Sequence, residues 1–378
     1  MEKPLKTGIL SLYYKNYNMG GLLQAYALQK TIEKMGVPCE QICVEYEIKK
    51  PKKEITKQGV GTILIKCQKK VKRILVKNKL SKRLSQYYDF MEEIPHSSKV
   101  YTLQEMPKCN SVYQTFVVGS DQVWADWLSG EALKMFSLQF AEKGKKRISY
   151  AASFAADRLT EKQSRFLSEG VEDLDAVSVR EQGGLKMAAE LGGKHIELVA
   201  DPVLLLEEED WNKLADSYPV PFERYAVSYF LGKRSDHRRW AKSVANENGF
   251  KLVNIAFANG SDPCMMDCFF ADFNVYDGGP KEFVDLIRNA ELVLTDSFHA
   301  MIFSLIFSKP FLVVKRHKDE EKNSMNGRIL DCLSELSLQH CLADESVHKI
   351  PVIDYIKTHE ILKKKRQESL EFLISHLK

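Results

Sequence analysis

Hydrophobic positions along the chain alternate between short runs typical of strands and repeats typical of helices. Residues 7–13 form a β-branched and aromatic run, and residues 16–21 supply turn residues. Apolar residues then recur at helical spacing over 22–35 before Gly36, and a second strand is predicted over 39–46. This strand–helix–strand order predicts a parallel sheet with helices on both faces.

The same alternation continues in two series, which predicts an α/β protein with two halves. Strands are expected at 115–118, 147–153, 176–179 and 196–199, and then at 225–230, 251–255, 292–295 and 311–314. Helices are expected at 161–169, 184–191, 236–248, 280–289, 298–307 and 327–336. A boundary is expected after Asp201-Pro202, which gives domains over 1–206 and 207–345 and a C-terminal amphipathic helix within 346–378. Such halves bind ligands in the crevice between them, beyond the carboxyl ends of the strands.

The charge of the chain is unevenly distributed. The 55 Lys and Arg residues against 51 Asp and Glu give a net charge of +4, which argues against a nucleic-acid-binding protein. Residues 49–83 carry 14 basic residues and one acidic residue, so this basic segment is +13 and the remainder is 4 − 13 = −9. Within it, Leu64, Cys67, Val71, Ile74 and Leu75 recur at helical spacing.

The basic segment therefore predicts a basic amphipathic helix, inserted at about 49–90 in the first domain. Such a helix suits anionic lipid headgroups, and peripheral membrane contact through 49–83 is the hypothesis. The alternative is a solvated helix packed on the first domain. Residues 1–10 contain no apolar stretch of signal length, and the longest apolar run, 298–307, is interrupted, so we expect a cytoplasmic protein. The cysteines lack zinc-site spacing, and no metal is expected.

Candidate chemistry is concentrated at residues 292–299. A buried strand ends at Thr295, Asp296 or Ser297 can cap the next helix, and His299 then lies in its first turn. Unsatisfied N–H groups at a helix start favour an anion, so this segment predicts an anion site. The alternative is that Asp296 is only a cap and His299 a packed histidine.

Several blocks of the sequence carry a resemblance to a known family. They are Asn18-Met19-Gly20-Gly21-Leu22 with the following helix, Val118-Gly119-Ser120-Asp121-Gln122, Tyr150-Ala151-Ala152-Ser153-Phe154, Ser178-Val179-Arg180-Glu181, Ala200-Asp201-Pro202-Val203, and the stretch 279–314 with Leu294-Thr295-Asp296-Ser297-Phe298-His299. In this order they resemble the polysaccharide pyruvyl transferase family over roughly residues 7–345. The resemblance implies a GT-B-like fold, with two Rossmann-like parallel-sheet domains facing across a cleft. It also implies transfer of pyruvate from phosphoenolpyruvate to two sugar hydroxyls as a ketal.

The family's site residues carry over only in part. Its phosphoenolpyruvate-binding arginine is matched by Arg180, and the histidine of its Arg-x-His pair by His299. The arginine position of that pair is Ser297, whose hydroxyl cannot replace a bidentate guanidinium. Either Arg316 or Arg328, on the next strand and helix, reaches the site, or the donor differs.

Roles follow for the remaining candidate residues. His299 is expected to act as an acid or to bind the phosphate. Asp121 and Asp296 are candidate bases for the sugar hydroxyls. The alternative is that Asp121 is only a turn residue and Asp296 only a helix cap. Arg180 is expected to bind carboxylate or phosphate, although it could simply pair with Asp201. The other predicted substrate-binding residues are Gly20 and Gly21, through backbone N–H groups, and Ser120, Ser297, Arg316 and Arg328.

The sequence thus predicts a transferase of bacterial cell-surface polysaccharide biosynthesis, such as exopolysaccharide synthesis, at the inner face of the membrane. Its expected partners are phosphoenolpyruvate, as co-substrate, and a sugar or lipid-linked oligosaccharide acceptor, with no cofactor and no nucleic acid. Two alternatives stay open. One is a GT-B glycosyltransferase that uses a nucleotide sugar, and the other is a non-catalytic sugar-binding relative.

Overall fold

Two parallel sheets organise the molecule. The computed structural model describes residues 6–46, 60–259, 262–268, 270–317 and 326–378. The strands of the first half are β1 (Lys6–Leu10), β2 (Cys39–Gln41), β3 (Val44–Glu45), β4 (Tyr101–Thr102), β5 (Tyr113–Val118), β6 (Lys146–Ser149), β7 (Val177–Val179) and β8 (Ile196–Leu198). Its helices are α1 (Met19–Lys34), α2 (Val60–Glu93), α3 (Gly130–Phe136), α4 (Glu161–Glu172), α5 (Gln182–Glu190) and α6 (Glu208–Leu214).

The second half repeats the alternation of strands and helices. Its strands are β9 (Tyr225–Tyr229), β10 (Lys251–Ile255), β11 (Ala258–Asn259), β12 (Asp262–Pro263), β13 (Phe273–Val275), β14 (Leu292–Thr295), β15 (Phe311–Val314) and β16 (Leu342–Ala343). Its helices are α7 (Ser235–Glu247), α8 (Pro280–Arg288), α9 (Phe298–Ile306), α10 (Gly327–Glu335) and α11 (Tyr355–Leu377).

Strand order places a topological switch in each sheet. The first sheet has the order β2-β1-β5-β6 and the second β13-β10-β9-β14-β15-β16, and every pairing within both is parallel. The strand that follows β1 in the chain therefore lies on one side of it, and β5 lies on the other side. In the same way, β10 and β14 lie on opposite sides of β9. Ligands of open parallel sheets bind at such switch points, so the loops after β1, β5, β9 and β14 are the expected site.

The hydrophobic core is continuous across the two halves. All nine residues of α9 are buried, and α1 buries Leu22, Leu23, Leu28 and Ile32 on the side that faces the same core. Trp211 of α6 packs edge-on against Phe303 of α9, with ring centroids 4.8 Å apart. Burial of these apolar side chains, rather than local propensity, fixes α9 directly beneath the site.

The start of α1 differs from the sequence prediction. The predicted turn at 16–21 and helix from 22 are wrong by one turn, because the helix begins at Met19 and is capped by Asn18, whose side chain accepts from the backbone N–H of Gly21 at 3.2 Å. Gly20 and Gly21 thus belong to the first helical turn. An asparagine cap outweighs the low helix propensity of two glycines here.

Helix α2 connects the two halves. Residues 49–59 of the basic segment lie outside the described residues, but the helix itself runs from Val60 to Glu93. Val76 and Leu80 pack with Ala256 and Tyr276 of the second half. Nearer its end, Tyr87, Phe90 and Met91 join the core of α1.

The surface character predicted for the whole basic segment is wrong at Arg83. This side chain is buried, and its guanidinium donates to the backbone carbonyls of Ala256 and Val275, the latter at 2.8 Å. Lys77, Lys79 and Lys82 are exposed, as predicted. None of the helices in the described ranges combines the length and apolar character needed to cross a bilayer.

Helix α11 returns from the second half to the first. The backbone N–H of Ala200 donates to Ser369 Oγ at 2.8 Å, and Arg366 Nε donates to the carbonyl of Leu204 at 2.7 Å. Phe372 packs near Tyr150, with ring centroids 6.3 Å apart. The C-terminal helix therefore fastens the two halves together close to the segment that carries Asp201.

Candidate active site

Arg180 is the central charge of the site. It follows β7, its side chain is fully buried, and its guanidinium donates to Asp201 Oδ2 at 2.7 Å and to Asp121 Oδ1 at 2.8 Å. Burial opposes its charge, but Asp121, Asp201 and Glu181 outweigh burial and raise the pKa of Arg180. The pairing with Asp201, which was the alternative at the sequence level, is therefore present. It leaves Arg180 Nε without a hydrogen bond in the described structure.

Asp121 is held in a constrained turn after β5. Its φ of 67° is in the left-handed region, which aspartate tolerates better than most residues. Burial by itself would raise the pKa of Asp121, but the charges of Arg180, His299 and Arg328 hold it below its ordinary value. Asp121 is thus an ionised partner of arginine, and the adjacent Ser120 is buried and donates to the side chain of Gln24.

His299 lies in the first turn of α9 and reaches across to the first half. Its Nε2 is 3.7 Å from Asp201 Oδ2, is buried and has no hydrogen-bond partner in the described structure. A Cβ atom on Gly20 would lie 2.1 Å from His299 Nδ1. Gly20 is therefore needed for the close approach of the imidazole ring to α1, a contact that the sequence motif did not reveal.

Asp296 holds a neighbouring loop. Its carboxylate is fully buried, and its two oxygens accept from the backbone N–H groups of Leu231 at 2.7 Å and Gly232 at 2.8 Å. Ser297, rather than Asp296, caps α9, with its Oγ accepting from the N–H of Ala300 at 3.4 Å. This geometry fixes the loop after β9, and the role of Asp296 as a base stays a prediction.

Two further arginines differ in their surroundings. Arg316 donates through Nη2 to the carbonyl oxygen of Asp296 at 3.1 Å. Arg328 lies 5.7 Å from the ring centroid of Phe298, and Arg180 lies 5.5 Å from the same centroid. Phe298 thus lies close to two guanidinium groups, a favourable arrangement for an aromatic ring.

Arg328 is weakly neutralised by the protein. In the described part of the chain, the one carboxylate within 4 Å of it is Asp121, at 3.9 Å. Burial, together with repulsion from Arg180 and Arg316, lowers the pKa of Arg328 to about 10. A buried cation in this state favours a bound anion.

Two small cavities meet at Arg328. A cavity of about 220 Å³ is lined by Ser153, Ala155, Ala156, Asp157, Glu181, Gly183, Gly327, Arg328 and Asp331. A second cavity of about 50 Å³ has Arg180, Asp201, Phe298, Arg328 and Asp331 among its lining residues. A larger groove of about 1120 Å³ lies in the first half, but none of the predicted site residues lines it, so the charged cluster and not this groove marks the candidate site.

The structure brings together some predicted residues and adds others. Asp121, Arg180, His299 and Arg328 form one cluster, and Gly20 borders it. The backbone N–H of Gly21 donates to the Asn18 cap of α1, and substrate binding through the N–H of Gly20 stays a prediction. Glu181 and Asp331 were not predicted as site residues, and Asp201 was named only as a possible ion-pair partner of Arg180. Glu181 and Asp201 each lie within a motif block, which was the available signal.

One group of described residues has metal-ligand geometry. Ligand atoms of Asp236, His237 and Glu345 lie within 4.8 Å of one another. Arg234 donates to both carboxylates and already supplies a positive charge there. The group is at the start of α7 and shares no residue with the Arg180 cluster.

Solved structures identify the fold. UDP-GlcNAc 2-epimerase from Neisseria meningitidis, bound to UDP-GlcNAc, is similar with 10% identity, 98% of this chain and 99% of that chain covered, and a TM-score of 0.52. The UDP-GlcNAc 2-epimerase of Methanocaldococcus jannaschii (11% identity, 95% and 99% covered, TM-score 0.49) and MurG of Acinetobacter baumannii (9%, 98% and 98%, 0.42) are also similar. The predicted GT-B fold of two parallel α/β halves, which the Neisseria meningitidis epimerase shares, is confirmed.

The sequence comparisons identify the family. No curated protein matches the chain. The family model described as "Polysaccharide pyruvyl transferase" matches residues 18–318, which include every member of the Arg180 cluster except Arg328. The prediction of a transferase of polysaccharide biosynthesis is thereby confirmed at the level of the family. This chain belongs to the polysaccharide pyruvyl transferase family.

Proposed function

We propose that the chain transfers a pyruvyl group from phosphoenolpyruvate to two hydroxyls of a sugar, forming a ketal. The observation that carries the proposal is Arg328, whose side chain is only 10% exposed, lines one cavity together with Arg180 and lies 3.9 Å from Asp121. Phosphoenolpyruvate is a small, multiply charged anion with a carboxylate and a phosphate. Its negative charge would offset the repulsion between Arg180 and Arg328, whose guanidinium groups lie 5.5 and 5.7 Å from the ring centroid of Phe298.

Arg328 also accounts for the serine at position 297. In the family motif that position carries an arginine, and the loss of a guanidinium would weaken binding of an anionic donor. Here Arg328 enters the same cluster from α10, whereas Arg316 is engaged by the backbone of Asp296. Between the two arginines weighed at the sequence level, Arg328 is therefore the better substitute.

The residues present match the needs of the reaction. Arg180 and Arg328 would bind the carboxylate and phosphate of the donor, and His299 Nε2 is an unpaired, buried ring nitrogen that can donate a proton or a hydrogen bond. Asp201 Oδ2 lies 3.7 Å from this nitrogen and holds the imidazole beside Arg180. We therefore assign the donor to the cluster of Arg180, His299 and Arg328.

Thermal unfolding with ligands tests the donor. Phosphoenolpyruvate at one hundred times its Kd should stabilise the wild-type protein by about 2.7 kcal/mol and raise its Tm. Arg328→Gln should weaken this effect by about 10- to 100-fold in Kd, because an anion loses a charged hydrogen-bond donor. Arg224→Gln, which changes an exposed arginine at the amino end of β9, is the matched control.

Two outcomes would contradict the proposed donor. A Tm that rises with UDP-linked or GDP-linked sugars but not with phosphoenolpyruvate would favour a nucleotide-sugar transferase. Normal turnover of His299→Ala would remove His299 from the mechanism, since this variant should keep its fold and lose turnover. The proposal extends to location, because the basic segment 49–83 suits the anionic inner face of a membrane, where a lipid-linked acceptor would lie.

A further inference from the structure

The 220 Å³ cavity beside the arginine cluster has a lining that suits a sugar. It lies below the range of about 300–1,000 Å³ typical of sites for drug-sized ligands, so it can admit little more than one monosaccharide. Arg328 forms its boundary with the smaller, arginine-lined cavity. Its remaining charged groups are three carboxylates, those of Asp157, Glu181 and Asp331. Carboxylates accept hydrogen bonds from hydroxyl groups, whereas they repel a second anion.

Glu181 has one carboxylate oxygen with no donor. Its side chain is 10% exposed, and Oε1 accepts from Ser153 Oγ at 2.6 Å. Oε2 is buried, lies 3.6 Å from Arg180 Nε and makes no hydrogen bond in the described structure. A buried carboxylate oxygen without a donor is costly, and a hydroxyl of a bound ligand would satisfy it.

The other carboxylates of the cavity and the cluster are engaged or exposed. In the cavity lining, Asp331 accepts from the backbone N–H of Gln182 and Asp157 is exposed, while Asp121 and Asp201 of the cluster each accept from Arg180. Building on the proposed function, we propose that the 220 Å³ cavity is the acceptor subsite, that it takes a sugar diol, and that Glu181 is the base that removes the hydroxyl proton. Neither the family motif nor the comparisons assign these roles.

The step balances with the donor proposed above. A proton is added to the methylene carbon of phosphoenolpyruvate, and the first hydroxyl oxygen forms a bond to C2 while its proton passes to Glu181. The C2–O bond to phosphate breaks with its electron pair, and the second hydroxyl oxygen bonds to C2. One of the two hydroxyl protons replaces the proton that the protein gave to the methylene carbon. The other hydroxyl proton is taken up by the departing phosphate, so the products are a ketal and hydrogen phosphate.

Saturation-transfer NMR tests the subsite without turnover. The probes are methyl glycosides of galactose, glucose and mannose, each with a 4,6-diol, added to full-length protein with phosphoenolpyruvate. Gly183 lines the cavity, and a Cβ there would meet only Met187 Cε, at 3.9 Å, among described atoms within 4 Å. Gly183→Trp should fill the cavity and reduce the glycoside signal at least tenfold, whereas Gly183→Ala should keep it. Equal signals from these two variants, or no signal from the wild-type protein, would overturn the subsite.

Phosphate release from phosphoenolpyruvate tests the base, with the best-bound glycoside as acceptor. Glu181→Gln keeps an oxygen for Ser153 and should lower kcat at least 100-fold, while the Tm rise with phosphoenolpyruvate and the glycoside NMR signal persist. Glu190→Gln is the control, because Glu190 is the last residue of α5, the helix that begins after Glu181, and its side chain is exposed. Activity of Glu181→Gln within threefold of wild type, or a wild-type protein that binds both ligands but releases no phosphate, would overturn the assignment. A wild-type Tm unmoved by phosphoenolpyruvate would instead count against the proposed donor.

Discussion

Asp201 shows how much a single buried carboxylate organises in this site. It accepts from Arg180 and from the backbone N–H of Val203, and it lies 3.7 Å from His299. Burial alone would raise the pKa of Asp201, but His299, Arg180 and the backbone N–H hold it well below its ordinary value. Asp201 therefore positions an arginine of one half and a histidine of the other without contacting the cavity of the proposed acceptor.

Asp201→Asn should lower the free energy of unfolding at pH 7 by about 3 kcal/mol, because Arg180 keeps its buried charge and loses one of its ion-pair partners. The pKa of Asp201 in the folded state lies below its value of about 4 in the unfolded state. The ionised carboxylate therefore contributes its full stabilisation above about pH 4. This stabilisation is lost as the pH falls through the folded-state pKa. Urea denaturation across pH should show the largest deficit at neutral pH and convergence with wild type in acid.

Asp173→Asn is the control for Asp201→Asn, since Asp173 pairs with Arg147 but its side chain is 63% exposed. Its cost should stay below about 1 kcal/mol. Equal losses in the two variants, or a deficit in Asp201→Asn that does not shrink in acid, would contradict the role assigned to Asp201.

The sequence motifs predicted Arg180 and His299 as site residues but not the residues that hold them. The structure brings both to Asp201, although His299 follows β14 of the second sheet whereas Arg180 follows β7, which pairs with β8 outside the two main sheets. The motifs could not show that Asp296 accepts from the loop after β9 or that Glu181 Oε2 makes no hydrogen bond in the described structure. Those orientations depend on side-chain packing between segments distant in sequence, which periodicity does not record.

At the scale of elements, α2 is a structural bridge as well as a carrier of charge. Its apolar side chains contact both halves, and Arg83 donates to the carbonyls of Ala256 and Val275 near the ends of β10 and β13. The sequence predicted the helix from its apolar spacing but placed Arg83 on the surface. A charge pattern suggests exposure by default, whereas backbone carbonyls at strand ends can accept from a buried guanidinium.

Arg83→Met should destabilise the protein by about 2–4 kcal/mol. Methionine fills a similar volume, but the Ala256 carbonyl loses a charged donor, and hydrogen bonds to charged groups contribute about 1.5–3 kcal/mol each. The Val275 carbonyl loses less, because it keeps the backbone N–H of Ala256. The shift in the urea denaturation midpoint measures this cost. Lys77→Met, on an exposed position of the same helix, is the control and should change stability little. Similar midpoints for both variants would contradict a bridging role for Arg83.

At the scale of the whole molecule, charge and chemistry occupy different regions. The arginine cluster lies where the switch points of the two sheets meet, while the +13 segment precedes and includes much of α2. Only part of that charge is free for a surface role, since Arg83 is buried and Lys82 lies 3.6 Å from Asp277. A surface role must therefore depend chiefly on the lysines that come before Arg83.

Replacing Lys49, Lys50, Lys52, Lys53 and Lys57 by Gln tests whether the basic segment binds anionic membranes. Each lysine near a bilayer contributes about 1 kcal/mol, so flotation with phosphatidylserine vesicles should fall by at least 100-fold in binding constant. Glutamines at Lys349, Lys357, Lys363, Lys364 and Lys378, which are all exposed, remove the same charge elsewhere and should leave binding unchanged. The wild-type protein should not float with neutral phosphatidylcholine vesicles. If both five-lysine variants lost binding equally, the membrane affinity would depend on net charge alone and not on the position of the lysines. If the wild-type protein floated equally well with and without anionic lipid, the contact would not be electrostatic.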